Sequence, residues 1–141
     1  MGYLITAVVA ILGALAALTL VGAFLPQQHT GRATLTIAAP PDQLWALMER
    51  EKDWFPNSPP TIILEGTQRP SKRISKINDA SLPYGGVWTV TLSPESNQTQ
   101  VTILEEGEVY NPLFRFLARF AFGHNTTANN YLQALAREAA K

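Results

Sequence analysis

No charged side chain occurs before Arg32, although the 141-residue chain carries 11 Lys and Arg and 11 Asp and Glu. That asymmetry constrains the fold more than any other feature of the sequence. Tyr3 to Leu25 is a run of 23 residues interrupted only by Thr6, Gly13, Thr19 and Gly22. As a helix it extends about 34 Å, enough to cross a hydrocarbon core of about 30 Å. A lone segment in lipid must satisfy its own backbone, so helix is the conformation expected. The sequence predicts a single-pass N-terminal transmembrane anchor over 1–25 that stays attached to the chain. A cleaved signal peptide is the competing reading, because Val21-Gly22-Ala23 offers small residues for cleavage. Against it stand the absence of preceding cations and an apolar run longer than the usual signal core. Arg32 is the sole cation near either end, so charge asymmetry does not set the orientation; the reading adopted places the soluble part on the extracytoplasmic side.

Pro26 to Gly31 reads as a polar tether, leaving 32–141 for one compact domain with one core. Its charges balance, which argues against a nucleic-acid partner. With no cysteine there is no disulfide, thiolate nucleophile or Cys-ligated metal. Ala33, Leu35 and Ile37 alternate with Thr34 and Thr36, the two-residue period of a half-buried strand. Pro41 opens a helix whose stripe is Leu44, Trp45, Leu47 and Met48. Further strands are expected at Thr61 to Glu65, Lys72 to Ile77, Trp88 to Leu92 and Val101 to Val109, with a turn at Leu82 to Gly86 and a hairpin loop at Ser93 to Gln98. Asn111 and Pro112 then supply an N-cap and a first helical residue. Leu113, Phe114, Phe116, Leu117, Phe120 and Ala121 form a broad apolar face, and Gly123 breaks or kinks the helix before Tyr131, Leu132 and Leu135. The expected class is α+β: an antiparallel sheet gripping a long C-terminal helix, preceded by one transmembrane helix.

Three stretches resemble the START-like, or Bet v 1-like helix-grip, superfamily, and within it a membrane-anchored subgroup of the polyketide-cyclase-like SRPBCC proteins. They are Ala38 to Trp45, Leu82 to Val90, and Glu105 to Phe116. The resemblance covers Arg32 to Glu138 and implies a small-molecule ligand held between sheet and last helix. One departure stands out. Only Asn57 to Pro60 fills the place where family members hold another strand hairpin, so a shortened sheet is expected.

Familiar catalytic patterns are missing: no G-x-S-x-G, no phosphate-binding glycine loop and no H-E-x-x-H. His29 and His124 are too far apart in sequence, one of them in the tether, to suggest a metal site, and no metal or cofactor is expected. Trp45, Trp54, Tyr84, Trp88, Phe116, Phe120 and Tyr131 are the candidate ligand-binding residues, their alternative role being core packing. Trp88 in particular is expected between the sheet and the terminal helix. Glu105 shares strand parity with Val101 and Ile103 and points inward. It is a candidate general acid, with pairing to Arg115 or Arg119 as its expected structural role. His124 is a second acid/base candidate, otherwise a loop residue. Arg69, Lys72, Arg73 and Lys76 form a basic run read as a solvated strand edge, with contact to anionic lipid headgroups near the anchor as the alternative. The function expected is a membrane-anchored domain binding an apolar or amphipathic small molecule, a lipid among the possibilities, without catalysis. A cyclase- or dehydratase-type enzyme and a protein-interaction module are the alternatives.

Overall fold

Alternation in the second half of the chain is deep enough to build one sheet. The computed structural model describes Met1–Lys141 and contains five antiparallel strands in spatial order β1-β5-β4-β3-β2. These are β1 (Gln28–Ile37), β2 (Thr61–Ile63), β3 (Lys72–Ile77), β4 (Tyr84–Glu95) and β5 (Gln98–Val109). Helix α1 (Gly2–Ala23) precedes them, and α2 (Pro41–Glu49) and α3 (Glu51–Trp54) follow β1. The chain ends with α4 (Pro112–Leu117), a π-helical turn (Ala118–Phe122) and α5 (Thr126–Ala139). The α+β sheet with its covering C-terminal helix is as expected. So is the shortened sheet, with β2 only 3 residues long.

Register places one apolar face of the sheet under the helices. Val90 and Ala33 flank Ile103, Leu92 and Leu35 flank Val101, and Trp88 and Gly31 flank Glu105. Leu132 and Leu135 of α5 and Leu44 and Met48 of α2 are buried against that face. Each such side chain contributes about 1.5–3 kcal/mol through removal from water. Thr99, also fully buried, donates from its hydroxyl to the Ala39 carbonyl at 2.7 Å and ties β5 to the corner between β1 and α2.

The structure departs from the sequence reading at several places, among them the hairpin loop expected at Ser93 to Gln98, which shrinks to two residues because β4 runs to Glu95 and β5 starts at Gln98. The tether placed at 26–31 is shorter, because β1 begins at Gln28 and pairs His29 with Gly107 and Gly31 with Glu105. Ladder hydrogen bonds to β5 override the local turn preference of Gly31. Gly85 and Gly86 belong to β4 rather than to a turn. Gly86 faces Gly107 with a φ of 152°, and a Cβ there would lie 2.9 Å from the Gly107 Cα. Arg73 is not on a solvated edge. Its guanidinium donates to the Met48 carbonyl at 2.8 Å and to Glu51 Oε2 at 3.3 Å.

The terminal helix is two pieces with different neighbours. Asn111 caps α4 through its side chain, accepting from the amides of Leu113 and Phe114, and Pro112 takes the first turn. Gly123, with a φ of 73°, ends the π turn, and the Thr126 hydroxyl closes the break by donating to the Phe122 carbonyl. Beyond it, Asn125 accepts from the Arg32 amide at 3.1 Å and fixes the start of α5 over β1. Thus α5 covers the sheet, whereas α4 packs on α1.

Candidate functional site

Strand parity brings Glu105 to the helix-facing side of β5, next to Trp88 of β4. Its carboxylate accepts from Trp88 Nε1 at 2.9 Å and lies 3.2 Å from His29 Nε2. Both side chains of the Glu105–His29 pair are largely withdrawn from solvent, at 17% and 14% exposure. The imidazole of His29 lies over Gly107, which has no side chain to displace it. Its other face stacks on His124, with ring centroids 4.2 Å apart and planes inclined by 19°. Burial lowers the pKa of His124 below its ordinary value. His29 and Arg119 push in the same direction, and Glu105 opposes them.

The expected Glu105 ion pair with Arg115 or Arg119 is not formed. Arg115 instead spends its guanidinium on carbonyls: those of Val109 at 2.8 Å, Tyr110 at 2.9 Å, Gly22 at 3.4 Å and Leu25 at 3.5 Å. It thereby staples the C-terminal end of α1, where the helix dipole is negative, to the start of α4. Arg119 forms no ion pair.

The predicted aromatic set separates into groups. Trp54, Trp88 and Tyr131 converge with Phe55: the Tyr131 ring lies 5.1 Å from Trp54, 5.3 Å from Phe55 and 5.4 Å from Trp88. Trp88 therefore sits between sheet and terminal helix as expected, meeting Tyr131 edge-on at 89°. The polar ends of this cluster are satisfied: Tyr131 donates to Glu51 at 3.0 Å and Trp54 to the Leu47 carbonyl at 2.9 Å. Burial and the neighbouring Glu51 carboxylate raise the Tyr131 pKa well above its ordinary value, so the phenol stays a donor. Trp45 lies apart on α2, donating to Glu49 at 3.0 Å with Arg69 over its ring. Tyr84 is half-exposed at the start of β4, opposite Val109. Phe116 and Phe120 pair with each other at 4.9 Å on the α4–π segment, away from the sheet.

Two clefts, of about 360 and 290 Å3, meet at Gln28, His29 and Thr30, and neither is lined by the Trp54–Tyr131 cluster. The larger runs over Glu106, Gly107 and Glu108. The smaller opens beside the end of α1, between Leu25, Pro26, His29, Arg115, Arg119 and His124, with no carboxylate in its wall. Sequence reasoning missed His29 as a site residue because Pro26 and Gly31 read as the two ends of a tether. Its parity with Ala33, Leu35 and Ile37 was the signal that would have found it.

No protein-family model matches the sequence, and no curated protein is significantly similar to it. Solved structures are similar in shape. A protein from Mesorhizobium loti superposes with a TM-score of 0.57 at 15% identity, over 77% of this chain and 95% of that one. One from Rhizobium loti gives 0.53 at 14% identity, over 79% and 96%. A polyketide-cyclase-like protein from Corynebacterium glutamicum gives 0.53 at 15%, over 81% and 93%. At such identities the likeness is one of fold, and it agrees with the strand order and the covering helix described above: the chain carries a helix-grip fold similar to that of the polyketide-cyclase-like protein, behind an apolar N-terminal helix.

Proposed function

We propose that this is a membrane-anchored helix-grip domain that binds an amphipathic small molecule, a lipid or lipid-like compound, without transforming it. One observation carries the reading: the smaller cleft opens at the end of the apolar helix with Arg115, Arg119, His29 and His124 in its wall and no carboxylate. Arg119, the one guanidinium of that wall not engaged by the protein's own groups, suits a polar or anionic head, while Leu25 and the neighbouring apolar helix suit a hydrocarbon tail. Of the aromatic residues considered as ligand lining, Trp88 and Tyr131 instead join β4 to α5, meeting edge to face. The helix-grip neighbours support a ligand-binding role at the level of fold.

The test is native mass spectrometry of the full chain purified in mild detergent. A bound species of lipid size, retained by the wild type and depleted in Arg119→Glu, is the expected result. Bare protein in both preparations overturns the reading.

An enzymatic reading has its own support, since a carboxylate 3.2 Å from an imidazole is the pairing that acid/base chemistry uses. Glu105, His29 and His124 would carry it. The two readings part on the fate of the bound molecule: a co-purified species that changes mass on incubation with wild type, but not with Glu105→Gln, favours the enzyme.

A further inference from the structure

The stretch from Pro112 to Phe122 holds four Phe, two Leu, two Ala, one Pro and two Arg, and no acidic residue. In a helix that gripped the sheet, its apolar face would be covered. Here Phe114, Phe120 and Phe122 remain 48%, 62% and 65% exposed. Single exposed aromatics are ordinary on soluble domains, but three within nine residues of chain leave this short helical segment with exposed apolar rings around its circumference.

The fold indicates what covers them. Pro112 rests directly on Gly22, where any Cβ would collide with the Pro112 carbonyl, so the segment begins at the last turn of α1. Along α1 only Leu18, Thr19 and Gly22, in its last two turns, are withdrawn from solvent, and the helix is exposed throughout from Gly2 to Ala17. The segment that carries the exposed phenylalanines therefore starts on the last turn of α1, beside its open apolar surface. Eleven residues of helix reach about 16 Å, too short to cross a bilayer core of about 30 Å, but suited to lying along its boundary. The cations fit that placement: Arg115 is folded inward onto carbonyls, and Arg119 is exposed and free of any carboxylate.

We propose that the α4–π segment is a second membrane-contacting element, its phenylalanines seated at the headgroup–acyl boundary of the leaflet from which α1 emerges, with Arg119 at the level of the lipid phosphates. The proposal rests on the reading of α1 as a membrane anchor and adds a second contact to it. The occupant against those rings is the lipid leaflet itself.

The experiment uses the full chain in vesicles of phosphatidylcholine and phosphatidylglycerol, with and without brominated acyl chains that quench tryptophan at the boundary. A tryptophan is added singly to the native background by Phe120→Trp, Phe122→Trp, Leu12→Trp in the middle of α1, or Ile63→Trp, which is exposed on β2. The added emission of Phe120→Trp and Phe122→Trp should be largely lost in brominated vesicles, as for Leu12→Trp, with that of Ile63→Trp unchanged. Quenching at Leu12→Trp alone would leave the anchor in place and overturn the second contact. Blue-shifted but unquenched emission at Phe120→Trp and Phe122→Trp would place a protein or a second copy against those rings and overturn it equally. Loss of quenching at Leu12→Trp as well would remove the anchor reading beneath it.

Discussion

At the scale of single residues, Glu105 concentrates the polar chemistry of the sheet face. It accepts from the Trp88 indole and faces His29, so its removal leaves a half-buried donor without a partner. Glu105→Ala should cost about 1–3 kcal/mol, as for an unsatisfied buried group. Glu105→Gln keeps an acceptor for Trp88 and should cost clearly less. Denaturant unfolding of both variants checks the order, and equal losses would show that the indole bond is unimportant. His124 gives a pH signature. The folded state binds its proton less tightly than the unfolded chain, because burial and the nearby His29 and Arg119 disfavour the cation more than Glu105 favours it. Its contribution is thus complete above the unfolded value near 6.5 and is lost as pH falls through that value toward the lowered folded one. Wild type should lose stability over that window more steeply than His124→Asn; parallel pH profiles would contradict the assignment. The inward aim of Glu105 was legible from parity alone. Its partners were not, because β1 begins inside what looked like a tether, and because Arg115, near in sequence, spends its guanidinium on the carbonyls of Val109 and Tyr110 and, some ninety residues earlier, on those of Gly22 and Leu25.

At the scale of elements, local signals located the pieces, and long-range contacts decided what each piece touches. Asn111-Pro112 and Gly123 marked both ends of the first helical piece, and the Trp88–Leu92 alternation marked the strand beneath α5. Nothing local showed that Leu113 to Phe122 would leave the sheet to Tyr131, Leu132 and Leu135, since both stripes are apolar. The Gly85-Gly86 pair misled for a similar reason: a turn former is also what permits two strands to approach closely opposite Gly107. The α1–α4 contact is testable through Gly22, whose added Cβ would lie 2.6 Å from the Pro112 carbonyl carbon. Gly22→Val should therefore speed hydrogen exchange at the amides of Leu117 and its neighbours in the full chain. Gly13→Val, with nothing within 4 Å of the added Cβ, should leave those amides unchanged. Equal exchange in the two variants would show that α4 does not depend on α1.

At the scale of the molecule, the apolar helix and the domain share a joint. Cleavage after Ala23, as for a secretory signal, would remove the Gly22 seat of Pro112 and a carbonyl that Arg115 holds. Sequencing the N-terminus of membrane-derived protein should accordingly find residues ahead of Phe24, and a chain beginning at Phe24 would contradict the anchor reading. The joint is also short. Four residues, Phe24 to Gln27, separate α1 from β1, a link that even fully extended reaches only about 14 Å. With α1 in a bilayer, so brief a leash keeps the cleft beside Leu25 and Pro26 at the water–lipid boundary rather than out in solution. For the lipid-like ligand proposed above, occupancy would then be governed by its mole fraction in one leaflet, and capture would become a sideways, two-dimensional search. A sparingly soluble compound would fill the cleft at bulk concentrations far below the intrinsic dissociation constant, and expanding the lipid area at constant ligand would empty it.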